Sequence, residues 1–447
     1  MSLSLDAIAR CSEGHDAEQP VDACGERPLA RCPIAVVGAT GAVGREVLTL
    51  LAREGVPASS VRAFASERSA GQRRAFGDAK IEIEALPPAT DGGAIRRAFE
   101  GCPISIFAAD GATAGAYAPG AIEAGSVVID NSSRYRLEAG VPLVVPEVNA
   151  EELNRGPRLI ANPNCIVIIL LTALTPLRRA FGVRRVIAST YQAVSGAGQA
   201  AMDELAWQAE RTLHQRREVD SRDNIPGNEQ HAGLAAEDGV NAGGALATHS
   251  PRTPRVFREP CAFNVFSHDS ALDLLTGRNV EEEKIIAESR KIWREERLAI
   301  HPTCIRVPVF RSHAASVFLE LDRDASEGEV RALLSRAPGV RVIDDRAGND
   351  FPTALKAANQ NDVLVGRIRA EPEASDDAHR AEPASRTTTD RDHRSRSFSL
   401  FIAGDQLLKG AAWNAVQIAQ AVAKQRALRE NISTGEQRTL SAAALAG

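Results

Sequence analysis

The chain has 447 residues, more than one ordinary domain needs, which indicates two or three domains. Its hydrophobic content of 44% is normal for a protein with buried cores. An aromatic content of 4%, a net charge of −5 and a pI near 6.1 argue against a nucleic-acid-binding surface or a basic membrane-binding face.

The seven cysteines are scattered and have no CxxC spacing, so the sequence predicts neither a disulfide framework nor a metal site. They are typical of a reducing compartment, and no apolar run reaches the roughly 18 residues that a membrane span needs. We therefore expect a cytoplasmic protein. The acidic segment 1–32 lacks the pattern of a signal peptide, and we expect it to be a disordered extension.

Residues 33–162 are predicted to form a dinucleotide-binding domain. Strand patterns alternate there with helical ones, in the order IAVVG, REVLTLLAREG, VRAFAS, KIEIEAL, ISIFAAD, a helix near 117–124, and SVVIDNS. KIEIEAL alternates with a period of two, which is typical of an edge or half-buried strand. Alternating strands and helices predict a parallel, doubly wound sheet of the Rossmann type.

Residues 163–404 are predicted to form an α+β catalytic and dimerisation domain. Its predicted elements are a helix after Cys165, the strand RRVIASTYQ, a helix over 197–218, a long loop over 219–260, the helix VEEEKIIAESRKIWREE, the strands IRVPVF and AASVFLELD, the helix EGEVRALLSRA, and the strands VRVIDD, DVLVGRIRA and FSLFIAGD. The charged segment 371–397 is expected to be a disordered insertion. Residues 405–425 are expected to form a helix that returns to the first domain, and 426–447 a loose tail.

A glycine-rich turn, GATGAVG, follows the first predicted strand and opens a helix. Glycines let a pyrophosphate approach the backbone closely, and the N–H groups at the helix N-terminus can donate hydrogen bonds to it. The alternative is a turn with a purely structural role. The predicted cofactor contacts in this turn are Gly38, Thr40, Gly41, Ala42, Val43 and Gly44.

The loop after the second strand, ASERSAGQ, bears on which dinucleotide binds. NAD-binding folds usually place an acid there for the ribose 2′-hydroxyl. Here Ser66, Arg68 and Ser69 suit a 2′-phosphate, which favours NADP. Glu67 lies in the same loop, and a merely solvated polar loop is the alternative.

Cys165 follows Asn-Pro-Asn and precedes an aliphatic run. At a helix N-terminus, backbone N–H groups and the helix dipole favour a thiolate nucleophile. The alternative is a cysteine that packs as a small hydrophobic residue.

Two further stretches carry candidate site residues. In STYQAVSGAG, the Gln192 amide can orient an acyl group, unless the stretch is only a bulge or turn. In CIRVPVFRSHAAS, Arg306 can bind a carboxylate through two hydrogen bonds, and His313 can act as a general acid or base. A strand followed by a turn would bring both side chains to one pocket. A nicotinamide, a thiol and these groups together predict hydride transfer to or from a thioester or thiohemiacetal.

From Ile34 to Ala423 the chain resembles the aspartate-β-semialdehyde dehydrogenase family. The resemblance is carried by GATGAVG, SERSAG, DNSSRYR, VPLVVPEVN, NPNC, STYQAVSGAG, EEEK, IRVPV…H and GDQLLKGAAWNAVQIA. It implies the two-domain architecture of glyceraldehyde-3-phosphate dehydrogenase, and a homodimer or homotetramer built through the catalytic domain's sheet. It also implies NADPH-dependent reductive dephosphorylation of β-aspartyl phosphate in lysine, threonine, methionine, isoleucine and diaminopimelate biosynthesis.

The resemblance also implies a role for each site residue. Cys165 is then the nucleophile, His313 the acid–base group and Gln192 the residue that positions the acyl-enzyme. The implied substrate contacts are Arg306 to the α-carboxylate, Glu281 to the α-amino group, Arg136 and Lys284 to the phosphate, and Asn164 beside the thiol. The implied nicotinamide contacts are Ser195, Gly196, Gly198 and Asn414.

Two alternatives stay open at this point. One is a related acyl-phosphate reductase such as N-acetyl-γ-glutamyl-phosphate reductase, whose acylated substrate offers Glu281 no ammonium. The other is a non-catalytic paralogue, which is expected to lose the thiol. The chain departs from the family pattern at Ile166, Val167 and Ala314, near the nucleophile and the histidine, and at Glu67 in the adenosine loop.

Overall fold

The computed structural model of the chain describes residues 28–223, 256–371 and 394–445. The predictions made for residues 1–27, for the loop beyond residue 223 up to 255, and for 372–393 lie outside the described residues. Within the described part of the chain, no helix is both long enough and apolar enough to cross a bilayer.

The first domain is built on a seven-stranded sheet. Its strands are β1 (Ile34–Val37), β2 (Val61–Ala65), β3 (Arg73–Phe76), β4 (Ala79–Ala85), β5 (Ile104–Phe107), β6 (Val127–Asp130) and β7 (Leu159–Ala161). The strand order is β3-β4-β2-β1-β5-β6-β7, parallel except where β3 pairs with β4. The predicted doubly wound sheet is confirmed, and the order reverses beside β1, where such folds bind their cofactor.

Helices and buried strands of this domain follow from the sequence pattern. The helices are α1 (Ala42–Arg53), α2 (Gly92–Phe99), α3 (Gly111–Glu123) and α4 (Pro146–Asn149). Strands β1, β5 and β6 are buried at every residue. Because both faces of these strands are covered, their sequences are mostly apolar without alternation. Order begins earlier than expected, with a 3₁₀ turn over Pro28–Arg31 whose Leu29 packs into the core.

The second domain holds the other seven strands. They are β8 (Arg185–Gln192), β9 (Phe266–Ser267), β10 (Ala299–Arg306), β11 (His313–Ser326), β12 (Val340–Val342), β13 (Val363–Glu371) and β14 (Arg394–Gly404), in the order β12-β13-β14-β11-β8-β10-β9. Its helices are α5 (Cys165–Phe181), α6 (Gln199–Asp223), α7 (Val280–Trp293), α8 (Glu327–Leu334) and α9 (Ala354–Ala357). The expected α+β organisation is present.

Three strand boundaries differ from the prediction. β10 ends at Arg306, so only the first two residues of IRVPVF are in it; Pro308 lacks the N–H that a continuing strand would donate. β13 extends to Glu371 and β14 begins at Arg394, both inside the segment 371–397 expected to be disordered. The buried Ser395 hydroxyl joins the two strands there by donating to the Glu371 carbonyl.

The aliphatic run after Cys165 is the central helix of the second domain's core. Eleven residues of α5 are buried, including Ile166 and Val167, which have no exposed surface. A helix that is apolar on all sides belongs in a core. The run is therefore explained by packing, and only the first residue of the helix, Cys165, is left to face a cleft.

The C-terminal helix α10 (Trp413–Leu445) returns to the first domain, as expected. A π-helical turn over Leu408–Ala412 precedes it, and apolar residues of both, such as Leu408 and Val416, join the core around β1. The helix continues to Leu445, well beyond residue 425 where a loose tail was expected.

Candidate active site

A cleft of about 420 Å³ lies where the two domains meet. Its walls come from the carboxyl end of the first sheet, the N-terminus of α5, the turn after β8, the first turns of α7 and the π-helical turn. Of the predicted site residues, those lining it are Val43, Arg136, Asn164, Cys165, Gln192, Ser195, Gly196, Glu281, Lys284 and Arg306. The sequence motifs that are far apart in the chain therefore converge.

Cys165 is the first residue of α5 and is half-buried in the cleft wall. Asn164 caps the helix, because its side-chain oxygen accepts from the Ile166 N–H at 3.1 Å. Burial raises the pKa of the Cys165 thiol to about 12, and the Glu281 carboxylate adds to this, while Arg136 and the Ile166 N–H act in the opposite direction. Burial and Glu281 therefore oppose ionisation of the thiol, while Arg136 and the N–H of Ile166 favour it.

His313 lies behind the surface of the cleft rather than on it. It is fully buried, and its Nδ1 accepts a hydrogen bond from the Ala193 N–H at 3.0 Å. Nδ1 therefore carries no proton, and the neutral ring holds its proton on Nε2, which has no hydrogen-bond partner among the described residues. Burial, with help from Arg306, lowers the pKa of His313 to about 3.

Gly196 separates His313 from the cleft. A Cβ at Gly196 would lie 3.4 Å from Cε1 and 3.5 Å from Nε2 of His313, and 3.6 Å from a nitrogen of Arg306. Gly196 therefore lies directly beside both groups.

Arg306 is held by several groups at the end of β10. Its Nη1 donates to the Ala193 carbonyl at 3.0 Å, and its Nη2 donates to His268 Nε2 at 2.8 Å and Asp269 Oδ1 at 2.9 Å. The guanidinium also stacks over the Phe257 ring at 5.2 Å. Its buried Nε–H has no partner in the part of the chain that the structure describes, so the group retains a donor for an anionic ligand.

Glu281 is a buried acid at the start of α7. Its two oxygens accept from Asn164 Nδ2 at 2.8 Å and Lys284 Nζ at 3.3 Å. Burial would raise the pKa of Glu281, but Lys284, His268 and the Asn164 hydrogen bond hold it below its ordinary value. The cleft therefore contains a carboxylate and a guanidinium that complement the ammonium and carboxylate of an amino acid.

Gln192 ends β8 and is buried in the cleft wall, where its amide donates to the Thr190 hydroxyl at a long 3.4 Å.

Two cations also line the cleft. The Lys284 side chain is about one-third exposed. Arg136 is buried. Arg136 and Lys284 are both close enough to Cys165 to act on its thiol.

The glycine-rich turn has the geometry of a close backbone approach. Gly38 has a φ of +80°, and a Cβ on Gly44 would lie 2.1 Å from the Gly38 carbonyl oxygen. The turn leads into α1, which starts at Ala42, and Val43 reaches the cleft. At the end of β2, Ser66, Arg68 and Ser69 form a polar turn with Arg68 exposed.

The predicted nicotinamide contacts divide into two groups. Ser195 and Gly196 line the cleft, and Gly198 adopts a φ of +92° where α6 begins. Asn414 does not line it: its buried amide donates to the Val144 carbonyl at 2.9 Å and to Asn162 Oδ1 at 2.7 Å. Asn414 is thus joined to the cleft through Asn162, which lines it.

Several groups of the site escaped the sequence analysis. They are Asn131, His268, Asp269, Ser270, Glu288 and Gln406. Gln406 donates to the Ser195 hydroxyl and accepts from the Ser312 N–H at 2.6 Å, so it links the nicotinamide turn to the residue before His313. Its position in the conspicuous stretch GDQLLKG was the one signal that could have identified it.

Two family models match the chain. The model described as semialdehyde dehydrogenase, NAD binding domain, covers residues 33–155, and that described as semialdehyde dehydrogenase, dimerisation domain, covers 174–380. The chain is 36% identical to an aspartate-semialdehyde dehydrogenase of Bacillus subtilis, over 88% of this chain and 97% of that protein. A second such enzyme, from Synechocystis, is also 36% identical, over 87% and 96% of the two chains.

A solved structure agrees with these relatives. The crystal structure of aspartate semialdehyde dehydrogenase II complexed with ASA from Vibrio cholerae superposes with a TM-score of 0.70 at 32% identity, covering 88% of this chain and 98% of that one. Sequence, fold and the composition of the cleft point the same way. The chain belongs to the aspartate-semialdehyde dehydrogenase family.

Proposed function

We propose that the protein catalyses the NADPH-dependent reductive dephosphorylation of L-4-aspartyl phosphate to L-aspartate 4-semialdehyde and phosphate, through an acyl-cysteine. The observation that carries the proposal is the composition of one cleft. A thiol at a helix N-terminus faces the same space as an acid and a guanidinium for an amino-acid head group and two cations for a phosphate.

Binding of the substrate head group is expected to prepare the thiol. The Glu281 carboxylate is one of the causes of the raised Cys165 pKa, after burial. A substrate ammonium beside Glu281 would neutralise that charge, while the Arg306 Nε–H would donate a hydrogen bond to the α-carboxylate. Substrate binding would thereby lower the pKa of the nucleophile.

In the first chemical step the Cys165 sulfur forms a bond to the acyl carbon, and the bond from that carbon to the phosphate oxygen breaks. Phosphate leaves with the electron pair and the thiol proton, so the protein needs no separate base for the net step. Arg136 and Lys284 are placed to stabilise the charge that develops on the leaving group. The product of this step is a thioester on Cys165.

In the second step the reduced nicotinamide, when bound, supplies a hydride to the thioester carbon. The carbonyl oxygen would gain negative charge, and the His313 Nε2–H, which has no hydrogen-bond partner among the described residues and lies beside Gly196, would donate to it. Breakage of the carbon–sulfur bond then gives the aldehyde and returns the electron pair to sulfur. Gln192 would hold the acyl group in position beside the thiol.

The cofactor assignment rests on two features. The turn that includes Gly38 and Gly44 is a cradle that any Cβ would fill, and it opens α1 at the point where the strand order reverses. The turn after β2 offers Ser66, Arg68 and Ser69 to a 2′-phosphate, which favours NADP over NAD. The residues present therefore fit NADP.

Assembly and setting complete the proposal. The second family model is that of a dimerisation domain, and it spans β8 to β13. We expect a homodimer or homotetramer built through this sheet, acting in the cytoplasm in the biosynthesis of lysine, threonine, methionine and isoleucine and of diaminopimelate. Neither a nucleic acid nor a membrane is part of the proposal.

Turnover of the purified protein tests the proposal. Reduction of NADP with aspartate semialdehyde should require phosphate and should disappear in Cys165→Ala. Turnover with N-acetylglutamate semialdehyde but not with aspartate semialdehyde would instead support the related acyl-phosphate reductase. Undiminished turnover in Cys165→Ala would refute the role of the thiol.

A further inference from the structure

Glu288 is a buried carboxylate behind the active site, and the mechanism above gives it no role. It lies on α7 four residues after Lys284 and seven after Glu281. Positions separated by seven or four residues share one face of a helix. The face of α7 that supplies the head-group acid and a phosphate cation therefore continues with Glu288.

Both oxygens of Glu288 accept hydrogen bonds from groups that belong to the site. One oxygen accepts from Arg136 Nη1 at 3.1 Å, and the other accepts from the backbone N–H of Asn164 at 2.6 Å. The Glu288 side chain is 1% exposed. Burial raises its pKa, and Arg136 and the Asn164 N–H partly offset this. With an N–H donor on each oxygen, the hydrogen bonds favour the carboxylate form.

The partners of Arg136 show what Glu288 controls. Arg136 Nε donates to the Asn162 carbonyl at 3.0 Å, and Nη2 donates to the Asn131 carbonyl at 2.8 Å. With the bond to Glu288, three of the five guanidinium N–H groups are used, which leaves one on each terminal nitrogen. Those two N–H groups are the ones available to a phosphate in the cleft.

A second side chain of α7 fixes the other end of Arg136. Lys291, three residues after Glu288, donates from Nζ to the Arg136 carbonyl at 2.7 Å. The helix thus holds both the main chain and the guanidinium of this arginine. Two such contacts from one helix orient Arg136 more than either contact would alone.

We propose that Glu288 is a positioning residue for the phosphate step: it orients Arg136 toward the leaving phosphate and, through the Asn164 N–H, places the start of the helix that carries Cys165. This inference rests on the proposed function. A merely structural ion pair would predict a loss of stability without a selective effect on phosphate. A positioning role predicts that selective effect.

The test compares Glu288→Gln with a matched variant on the same helix, Glu283→Gln. In glutamine an NH2 group replaces one of the two acceptor oxygens, so the two bonds, which now go to separate oxygens, cannot both be kept as they are. Glu283 is 43% exposed and pairs only with Arg278 outside the cleft among the described residues. In the phosphate-dependent reduction of NADP, Glu288→Gln should raise KM for phosphate roughly 10- to 100-fold, the range for a lost charged hydrogen bond. KM for NADP should stay unchanged, any change in KM for the semialdehyde should be smaller than that for phosphate, and Glu283→Gln should behave as the wild type.

A second measurement does not need turnover. Inorganic phosphate should protect Cys165 of the wild type from iodoacetamide, and Glu288→Gln should require a correspondingly higher phosphate concentration for the same protection. If Glu288→Gln does not fold, the same measurements are made on Glu288→Asp. The shorter side chain of aspartate keeps the charge but cannot reach both Arg136 and the Asn164 N–H. A wild-type KM for phosphate in either folded variant overturns the inference. Absence of phosphate-dependent turnover in the wild type overturns the proposed function itself.

Discussion

His313 should make the protein unusually sensitive to mild acid. The ring is fully buried, and burial with the nearby Arg306 lowers its pKa from the ordinary 6.5 to about 3. In the unfolded chain the same imidazole titrates near 6.5. Between these two values the unfolded state binds a proton that the folded state does not, so stability is present above pH 6.5 and is lost as the pH falls.

The size of the effect follows from the pH interval. Each pH unit below 6.5 costs about 1.4 kcal/mol, so lowering the pH from 7 to 5 crosses about 1.5 units and removes about 2 kcal/mol through His313 alone. This figure does not depend on the exact folded-state pKa, provided that it lies well below 5. The other groups that titrate in this interval contribute separately.

The assay is urea unfolding at pH 7 and pH 5, for the wild type and for His313→Gln. Glutamine can still accept from the Ala193 N–H but has no charge to gain. The wild type should lose about 2 kcal/mol more than the variant between the two pH values. His268, whose pKa is also lowered by burial and Arg306, is present in both proteins and so largely cancels. Equal losses in the two proteins would refute the account of a buried neutral His313.

Three further predictions concern other parts of the structure. Lys409 is fully buried and donates to Glu147 at 2.6 Å, so Lys409→Met should destabilise the fold by about 3–5 kcal/mol in urea unfolding, and adding Glu147→Gln should restore part of the loss. Gly44→Ala should weaken NADP binding, measured by fluorescence titration, roughly tenfold or more because its Cβ would overlap the backbone; Gly92→Ala, which has open space, should bind normally. Arg68→Ala should raise KM for NADP roughly tenfold or more and leave KM for NAD unchanged; equal effects on both cofactors would contradict the 2′-phosphate assignment.

The sequence was most informative where a functional need coincides with a local pattern. The glycine-rich turn requires a strand before it and a helix after it, and the apolar runs on either side supply both. Cys165 and its aliphatic helix follow the same rule, because core packing and helix capping act over neighbouring residues. These parts of the fold and site were therefore predictable from short stretches.

The sequence was less informative where the cause is a contact between distant residues. The four-residue strand β3 is mostly exposed and has no periodic pattern, and the polar start of β14 is ordered only by pairing with β11 and β13. Nothing in the sequence shows that the Asn414 amide donates to Val144 and Asn162, which lie far away in the chain. Glu288 was not among the predicted site residues, because its partners lie more than a hundred positions earlier in the chain.

Direct observation of the covalent intermediate is the most direct test of the central claim. The purified protein would be mixed with L-4-aspartyl phosphate without NADPH, quenched in acid and digested, and the peptides analysed by mass spectrometry beside released phosphate. The account predicts an aspartyl group on the peptide that contains Cys165, with one phosphate released per modified thiol, and no such adduct in Cys165→Ala. An adduct on another residue, or reduction by NADPH that proceeds in Cys165→Ala, would contradict it.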